Sequence, residues 1–396
     1  MKPAVAAIGL FNDSYPPIFD GVTTAVVSYA RYLYEHGQNP CVVAPANPAP
    51  APAAPYPVMR YFSLPIHGRK PYRYGYPKLG LTIKSRLRHT PFRLVHSHSP
   101  FSAGRLAVYA ARKHNIPLIG TFHSKYRVDL EHSLHRLPWL IKKTMKRLLE
   151  FYNSCDYVWI PQKSVEDTIR EYGYRGQIEV VENGNDLATV PIAELASYKR
   201  QTRKSLGIAD DTVTLLFVGQ HIWEKGIGVI LDTISMLHSR GVKIRMDFVG
   251  SGYASEEVRR RICACNLQEV AAMHGVITDR SRLADMYAAA DLFLFPSCYD
   301  NAPIVVKEAA AMGTASILPA GCTAAEVITD GNNGFLCRRD AQSYTEIIES
   351  LAADRHRMHN VGLGARRTLA RSWENVMEEV VERYNEILAY GGKQYR

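Results

Sequence analysis

Two carboxylates, Asp300 and Glu308, stand eight positions apart in the segment DNAPIVVKEAAAMG, residues 300–313. The segment follows the apolar run DLFLFPS, which predicts a buried strand. Pro303 suits the first turn of a helix and Gly313 suits its end. Asp300 is then expected in the loop and Glu308 inside the helix, roughly on one face. A buried carboxylate needs a partner, and both the hydroxyls of a sugar ring and a nearby arginine or lysine could supply one.

Three histidines follow apolar runs that predict strands. His96 and His98 end the run FRLVHSHS, and His123 follows IPLIGTF. A histidine at a strand end can bond a substrate hydroxyl or transfer a proton, although each could also be an ordinary loop residue. No carboxylate cluster lies near them in sequence, so we expect no metal site.

Two further segments suit an anion. Gly21 follows Asp20 and precedes two threonines that predict a helix start, and Lys225 stands beside a glycine in QHIWEKGIG. Free N–H groups at a helix start and a lysine ammonium are both suited to a diphosphate. The alternatives are a plain capped turn and a solvated lysine.

The elements that must position these residues alternate along the chain. Short apolar strands are followed by amphipathic helices, and the pattern restarts after a polar helical stretch at 192–206. Such alternation predicts α/β architecture with two doubly wound, Rossmann-like domains. We place them at 1–190 and 191–372, with one amphipathic helix over 373–396. Ligands of such sheets bind at the carboxyl ends of the strands, so we expect the residues above to face a central cleft.

Charge is distributed unevenly over the 396 residues. The net charge is +10, with 24 basic and 13 acidic residues in 1–190 against 24 and 25 in 191–396. Between His36 and Val128 there are 14 lysines and arginines and no acid. This asymmetry favours an anionic partner for the first half, such as a membrane surface, a nucleic acid or a phosphorylated substrate.

No apolar run approaches the ~20 residues that a membrane span needs. The seven cysteines are scattered, which predicts free thiols in a reducing cytoplasm.

The segment 134–152 predicts a basic amphipathic helix, in which apolar residues such as Met145 and Leu148 alternate with cations. Such a helix can lie in a membrane interface. It could equally pack on the sheet and show its charges to water. The residues expected to face a membrane are Arg136, Trp139, Lys142, Lys143, Lys146 and Arg147.

The order of the motifs resembles that of the retaining glycosyltransferases of family 4, which have the GT-B fold. The resemblance covers nearly the whole chain and rests on FDGV, VHSHSP, TFH, VENGND, VGQ…EKG, GSG, YAAADLFLFPS, the paired carboxylates and a WENV helix. It implies transfer of a hexose from a UDP- or GDP-sugar with retained configuration, without metal or other cofactor. It also implies that the last helix crosses back to the first domain.

The resemblance assigns roles to residues. His123 would lie close to the reacting sugar and Asp300 near the donor sugar, Glu308 would hold the ribose, and Lys225 and Gly21 would face the diphosphate. Further donor contacts are implied for Gln220, Val276, Asn301, Ala302, Pro303 and Ile304. Two positions depart from the family pattern, because Asp300 replaces the usual glutamate and Gln220 the usual arginine. The second change removes a cation from the diphosphate.

The first domain of such enzymes receives the acceptor. Because that domain is basic and the DGVTTAV loop resembles the lipid-modifying members, we expect a peripheral enzyme on the cytoplasmic face of a membrane. Its acceptor would be a lipid such as diacylglycerol. The alternatives are a soluble sugar or sugar phosphate as acceptor, a phosphorylase or epimerase reaction on the same fold, and a non-enzymatic nucleic-acid-binding protein. No nucleic-acid-binding motif is present in the sequence.

Overall fold

The computed structural model describes residues 6–66, 71–79, 81–134, 137–187 and 190–390. The chain folds into two compact units. Unit 1 comprises Met1–Asn183 together with Trp373–Arg396, and unit 2 comprises Gly184–Ser372. Each is an α/β domain around a parallel sheet.

Unit 1 contains a seven-stranded parallel sheet in the order β3-β2-β1-β6-β7-β8-β9, and an antiparallel hairpin of β4 and β5. Its strands are β1 (Ala7–Phe11), β2 (Pro40–Pro45), β3 (Val58–Tyr61), β4 (Ser63–Pro65), β5 (Arg73–Gly75), β6 (Phe92–Ser97), β7 (Leu118–Thr121), β8 (Tyr157–Ile160) and β9 (Glu179–Val180). Its first helices are α1 (Gly21–Glu35), α2 (Leu81–His89), α3 (Ser102–His114), α4 (Tyr126–Leu134), α5 (Pro138–Tyr152) and α6 (Val165–Glu171). Strands β1 and β2 are buried at every residue, as expected for a parallel sheet covered on both faces.

Unit 2 contains a six-stranded parallel sheet in the order β12-β11-β10-β13-β14-β15. Its strands are β10 (Val213–Val218), β11 (Ile244–Val249), β12 (Ala271–Met273), β13 (Leu292–Leu294), β14 (Ala315–Pro319) and β15 (Phe335–Cys337). Its helices are α7 (Leu195–Ser205), α8 (Ile227–Ser239), α9 (Ser255–Ala264), α10 (Arg280–Ala289), α11 (Ile304–Ala311), α12 (Ala341–Ala353) and α13 (Arg355–Leu369).

The strand order reverses direction once in each sheet. In unit 1 the chain runs outward from β1 to β3 and then returns to pair β6 with β1. In unit 2 it runs outward from β10 to β12 and then returns to pair β13 with β10. Loops diverge at such a switch point and leave a crevice at the carboxyl ends of the strands, where ligands of doubly wound folds bind.

Helix α14 (Trp373–Tyr390) belongs to unit 1 although it follows unit 2 in sequence. Its buried stripe includes Trp373, Val380 and Tyr384. The Tyr384 hydroxyl lies 2.6 Å from Nδ1 of His96 on β6. Apolar packing and this buried hydrogen bond therefore tie the helix to the sheet.

Several elements differ from the sequence expectation, and those of unit 1 have clear physical reasons. The hairpin β4–β5 and helix α2 were not predicted, because three-residue strands and a largely polar helix carry too few apolar residues to show a period. The helix expected over 134–152 begins at Pro138 instead, since proline suits only the first turn of a helix.

Candidate active site

Lys225 and Asp300 form an ion pair at the switch point of unit 2. Lys225 lies in a short 3₁₀ turn after β10, and Asp300 lies in the loop after β13. The second carboxylate oxygen of Asp300 accepts a hydrogen bond of 2.6 Å from Oγ of Ser297. The structure thus joins two residues that stand 75 positions apart in the sequence, and a bound phosphate would compete with Asp300 for the ammonium group.

Gly226 brings these two loops together. Its φ of +76° is in the left-handed region, and a Cβ atom there would lie 2.6 Å from the carbonyl oxygen of Pro296. Any larger residue would strain the turn and push the Lys225 loop away from the Asp300 loop.

Glu308 is the fifth residue of α11, and its side chain is buried. One carboxylate oxygen accepts a bond of 2.6 Å from Arg280, and the other accepts a bond of 2.8 Å from the hydroxyl of Tyr287. Arg280 also pairs with Asp186. The partner that the sequence required is therefore an arginine. Since each carboxylate oxygen can accept two hydrogen bonds, Glu308 retains capacity for a ligand hydroxyl.

The remaining residues expected at the donor lie at the same edge of unit 2 or near it. Ile304 opens α11, and its N-cap Pro303 makes no side-chain capping bond. Asn301 is buried, Ala302 is half-buried, and Gln220 follows the end of β10 by two residues. Val276 is exposed in the loop after β12, two strands from β10.

A disulfide joins Cys298 to Cys322, with their Cα atoms 5.0 Å apart. The expectation of free thiols is therefore wrong for these two residues. Cys298 follows β13 and Cys322 follows β14, and these strands are neighbours in the parallel sheet. The bond ties the loop that carries Asp300 to the next loop along the sheet edge. The five free cysteines are Cys41, Cys155, Cys263, Cys265 and Cys337.

His96, His98 and His123 lie side by side at the carboxyl ends of β6 and β7. The rings of His96 and His98 stack with centroids 4.1 Å apart, and Nδ1 of His98 lies 3.1 Å from Nε2 of His123. His96 is held by Tyr384 and by Oγ1 of Thr121 at 2.7 Å. Burial lowers the pKa of all three imidazoles, that of His123 to about 4. They are therefore neutral at pH 7 and can act as hydrogen-bonding groups.

Gly21 is the first residue of α1, and Asp20 caps the helix by accepting a hydrogen bond of 2.7 Å from the Thr23 amide. A Cβ atom at Gly21 would meet no atom of the described residues within 4 Å. The packing of the protein therefore does not demand a glycine here, and the space beside this helix start is open.

Asp13 is a residue of this edge that sequence reasoning missed. Its carboxylate accepts hydrogen bonds from the hydroxyls of Ser99 and Ser102 and from the amide of Ala103 at 3.0 Å. It thereby anchors the loop after β1 to the start of α3. The only feature of the sequence that could have indicated this role is the position of an acid shortly after the first strand.

The exposed face of α5 is cationic. Trp139, Lys142, Lys143, Lys146 and Arg147 are exposed, and Arg136 lies outside the described residues. The apolar residues Met145 and Leu148 are buried in unit 1, so the apolar face of α5 packs within the domain. The exposed residues of α5 are therefore four cations, together with Pro138, Trp139 and the acid Glu150.

Within the described ranges, no group of three or more His, Cys, Asp or Glu residues could hold a metal ion. Among the helices described, none is both long enough and apolar enough to cross a membrane.

Comparisons with known proteins agree with this architecture. The model of Glycosyltransferase Family 4 matches residues 19–189, and that of Glycosyl transferases group 1 matches residues 198–368. An alpha-monoglucosyldiacylglycerol synthase of Streptococcus pneumoniae is 25% identical over 349 residues, which are 87% of this chain and 78% of that protein. A D-inositol 3-phosphate glycosyltransferase of Xylanimonas cellulosilytica is 27% identical over 304 residues, which are 74% of this chain and 71% of that protein.

Among solved structures, HepE of Anabaena in complex with UDP and glucose is similar. The TM-score is 0.75 at 17% sequence identity, and the match covers 96% of this chain and 99% of that one. This likeness shows the fold, which is GT-B. With two family models matched in succession along most of its length, the chain belongs to the family 4 glycosyltransferases.

Proposed function

We propose that this glycosyltransferase moves a hexose from a UDP- or GDP-sugar to a hydroxyl of a membrane lipid such as diacylglycerol. The transfer retains the anomeric configuration and needs no metal ion. The observation that carries the proposal is the Lys225–Asp300 pair at the switch point of unit 2, beside the start of α11.

The donor assignment rests on the chemistry of that edge. Lys225 supplies a cation for a diphosphate, and the first turn of α11, whose N-cap is Pro303, supplies backbone N–H groups. Glu308 offers acceptor capacity for a ribose hydroxyl. Relatives support the choice of donor, because HepE was solved with UDP and glucose and with UDP-glucose.

Charge develops on the leaving diphosphate during the transfer. In the mechanism that we propose, Lys225 stabilises that charge, and Asp300 releases the ammonium while it binds the hexose. His123 is neutral and hydrogen-bonds a hydroxyl of the sugar. The departing diphosphate assists deprotonation of the acceptor on the same face, so that neither Asp300 nor Glu308 acts as a covalent nucleophile.

The lipid acceptor rests on two observations. The relative from Streptococcus pneumoniae is named as a synthase of monoglucosyldiacylglycerol. In this chain, α5 exposes Trp139 among four described cations, Lys142, Lys143, Lys146 and Arg147, and such a surface suits anionic headgroups. We propose peripheral attachment to the cytoplasmic face of a membrane on this basis.

A soluble sugar or sugar phosphate is the second candidate acceptor. The observation that favours it is the relative named as a D-inositol 3-phosphate glycosyltransferase, since a phosphorylated acceptor would also suit a basic unit 1.

A donor screen tests the proposal. The purified protein is incubated with UDP- and GDP-sugars, and nucleotide release is measured with and without anionic vesicles that contain diacylglycerol. We expect release from one donor to rise with the vesicles, a glycolipid product whose anomeric proton coupling shows retention, and activity that survives EDTA. Vesicles without diacylglycerol are the control.

If nucleotide release does not depend on diacylglycerol but rises when inositol phosphate is added, the acceptor is the soluble sugar phosphate and not the lipid. Failure of every donor to bind would overturn the proposal.

A further inference from the structure

The hairpin β4–β5 has two chemically different faces. Leu64 pairs with Tyr74 and Ser63 with Gly75, and the Phe62 carbonyl accepts a bond of 2.8 Å from the Tyr76 amide. Because side chains alternate along a strand, Phe62, Leu64, Tyr74 and Tyr76 share one face. We call this set the outer face.

The opposite face of the hairpin is packed against the rest of unit 1. Ser63 is buried, and a Cβ atom at Gly75 would lie 2.3 Å from the ring of Tyr61 and 2.4 Å from Oγ of Ser102. The guanidinium of Arg73 donates to the backbone carbonyl of Ser63 at 2.9 Å. This packing determines the register and therefore which side chains point outward.

The outer face is apolar and exposed. Phe62, Leu64 and Tyr76 are 45%, 44% and 38% exposed, and Leu79 just beyond the hairpin is 66% exposed. The rings of Tyr74 and Tyr76 lie edge to face at 5.2 Å. A sheet with its small and polar residues inward and its aromatic residues outward reverses the usual pattern of a water-exposed hairpin, and contiguous exposed apolar groups mark interaction sites.

The sequence around the outer face is cationic. The 14 lysines and arginines between His36 and Val128 have no acid among them. Arg105 donates to the hydroxyl of Tyr74 at 3.3 Å, and Lys84 lies 5.3 Å from the ring centre of Tyr109 on α3. Apolar side chains, tyrosines with polar tips and adjacent cations together characterise elements that sit in the interface of an anionic bilayer.

We propose that the outer face, with Leu79, inserts into the headgroup region of an anionic membrane as a second contact beside α5. This inference rests on the proposed function and names the part of unit 1 that meets the lipid. The hairpin continues from the carboxyl end of β3, and in a parallel sheet that end shares an edge with His98 and His123. Insertion of the hairpin would therefore hold this edge at the depth of a diacylglycerol hydroxyl.

The first test compares two matched double variants of the full chain. Phe62→Ser/Leu64→Ser removes two side chains of the outer face. Ile192→Ser/Leu206→Ser removes two aliphatic side chains of unit 2 that are 43% and 37% exposed. Flotation with vesicles of phosphatidylglycerol and phosphatidylcholine gives the partition coefficient. We expect roughly a tenfold loss for the hairpin variant and none for the control, with equal melting temperatures. Equal partitioning of both variants would overturn the inference.

The second test locates the hairpin in the bilayer. Leu64→Trp is placed in a Trp139→Phe background, and its quenching by brominated lipids is taken as the difference from that background, which keeps Trp159, Trp223 and Trp373. We expect quenching at Leu64→Trp and none at Ile192→Trp. A bound protein whose Leu64→Trp is not quenched would show that α5 alone makes the contact.

Transfer to diacylglycerol in detergent micelles separates this inference from the proposed function. If the wild-type protein transfers hexose to micellar lipid but does not float with vesicles, the hairpin inference fails and the function stands. If no hexose is transferred to micellar lipid, the proposed function fails, whatever the flotation shows.

Discussion

Nδ1 of His98 lies 3.1 Å from Nε2 of His123, and the direction of that hydrogen bond decides which atom of His123 carries its proton. The other nitrogen of His98, Nε2, is buried and has no hydrogen-bond partner within the described part of the chain. A buried N–H without an acceptor is rarer in proteins than an unused lone pair. We infer that His98 donates from Nδ1, so that His123 carries its proton on Nδ1 and presents a donor there.

The role of His98 can be tested by two substitutions of similar size. In His98→Asn, the side-chain amide can place a donor near the position of Nδ1, whereas His98→Leu removes the donor. If His98 orients His123, we expect the leucine variant to lose about tenfold to a hundredfold in kcat with little change in donor KM. The asparagine variant should recover most of the rate. Equal losses in both variants, at equal melting temperatures, would contradict the assignment.

Stability should fall as the pH is lowered from about 6.5 to about 4. Burial lowers the pKa of His123 and of His221 to about 4, and lowers those of His96 and His98 as well. In this window the histidines of the unfolded chain bind protons, whereas the buried histidines of the folded chain stay neutral. Acid therefore favours unfolding, and the free energy of unfolding rises again as the pH is raised. Urea unfolding at a series of pH values measures the slope.

His221→Asn should reduce that slope in unit 2, whereas substitution of the exposed His238 by glutamine should leave it unchanged. A wild-type protein whose urea midpoint is constant from pH 7 to pH 4.5 would contradict the prediction.

The Cys298–Cys322 bond should stabilise unit 2. It closes a loop with a sequence separation of 24 residues, and a loop of that length corresponds to about 3 kcal/mol of chain entropy removed from the unfolded state. We expect the double serine variant to melt roughly 6–12 °C lower than the wild type, and Cys263→Ser, at an exposed free thiol, to melt unchanged. Thiol titration of the unfolded chain should give five groups before reduction and seven after it. Seven thiols without reductant would show that the bond does not form.

Substitution of Lys225 should reduce kcat/KM for the donor far more than substitution of a lysine in a surface ion pair does. Lys243 forms an ion pair with Asp211 in the same unit, but both partners are exposed. Loss of the cation that faces the developing charge should reduce kcat/KM of Lys225→Met by about a hundredfold, whereas Lys243→Met should match the wild type. Steady-state release of nucleotide measures both. A Lys225→Met enzyme with normal kcat/KM would remove the lysine from the proposed mechanism.

The prediction of strand ends from the sequence was most successful where strands are long and uniformly apolar. The six residues of β10 and the run before Asp300 are buried, and the rule that parallel strands share an edge was enough to bring Lys225 and Asp300 together. The fold class followed from the same alternation of strands and helices.

Other contacts depended on information that local patterns do not carry. The partner of Glu308 is Arg280, which stands 28 positions away, and nothing in the spacing distinguishes it from other arginines. The disulfide requires that β13 and β14 be adjacent, which is a property of strand order. The hairpin was missed because its strands have only three residues each, which is too short for an alternating pattern to show.

The discontinuity of unit 1 has a consequence during biosynthesis. His96 is enclosed by Tyr384 of α14, and α14 is encoded after the whole of unit 2. When residues up to 183 have left the ribosome, every strand of the unit 1 sheet is available for folding. Helix α14, which covers His96, has not yet been synthesised. Unit 2 is continuous in sequence and can fold as soon as it is synthesised. Unit 1 can complete its fold only after translation has passed residue 390. Chains interrupted before that point would carry an open histidine cluster, because α14 is the element that covers it.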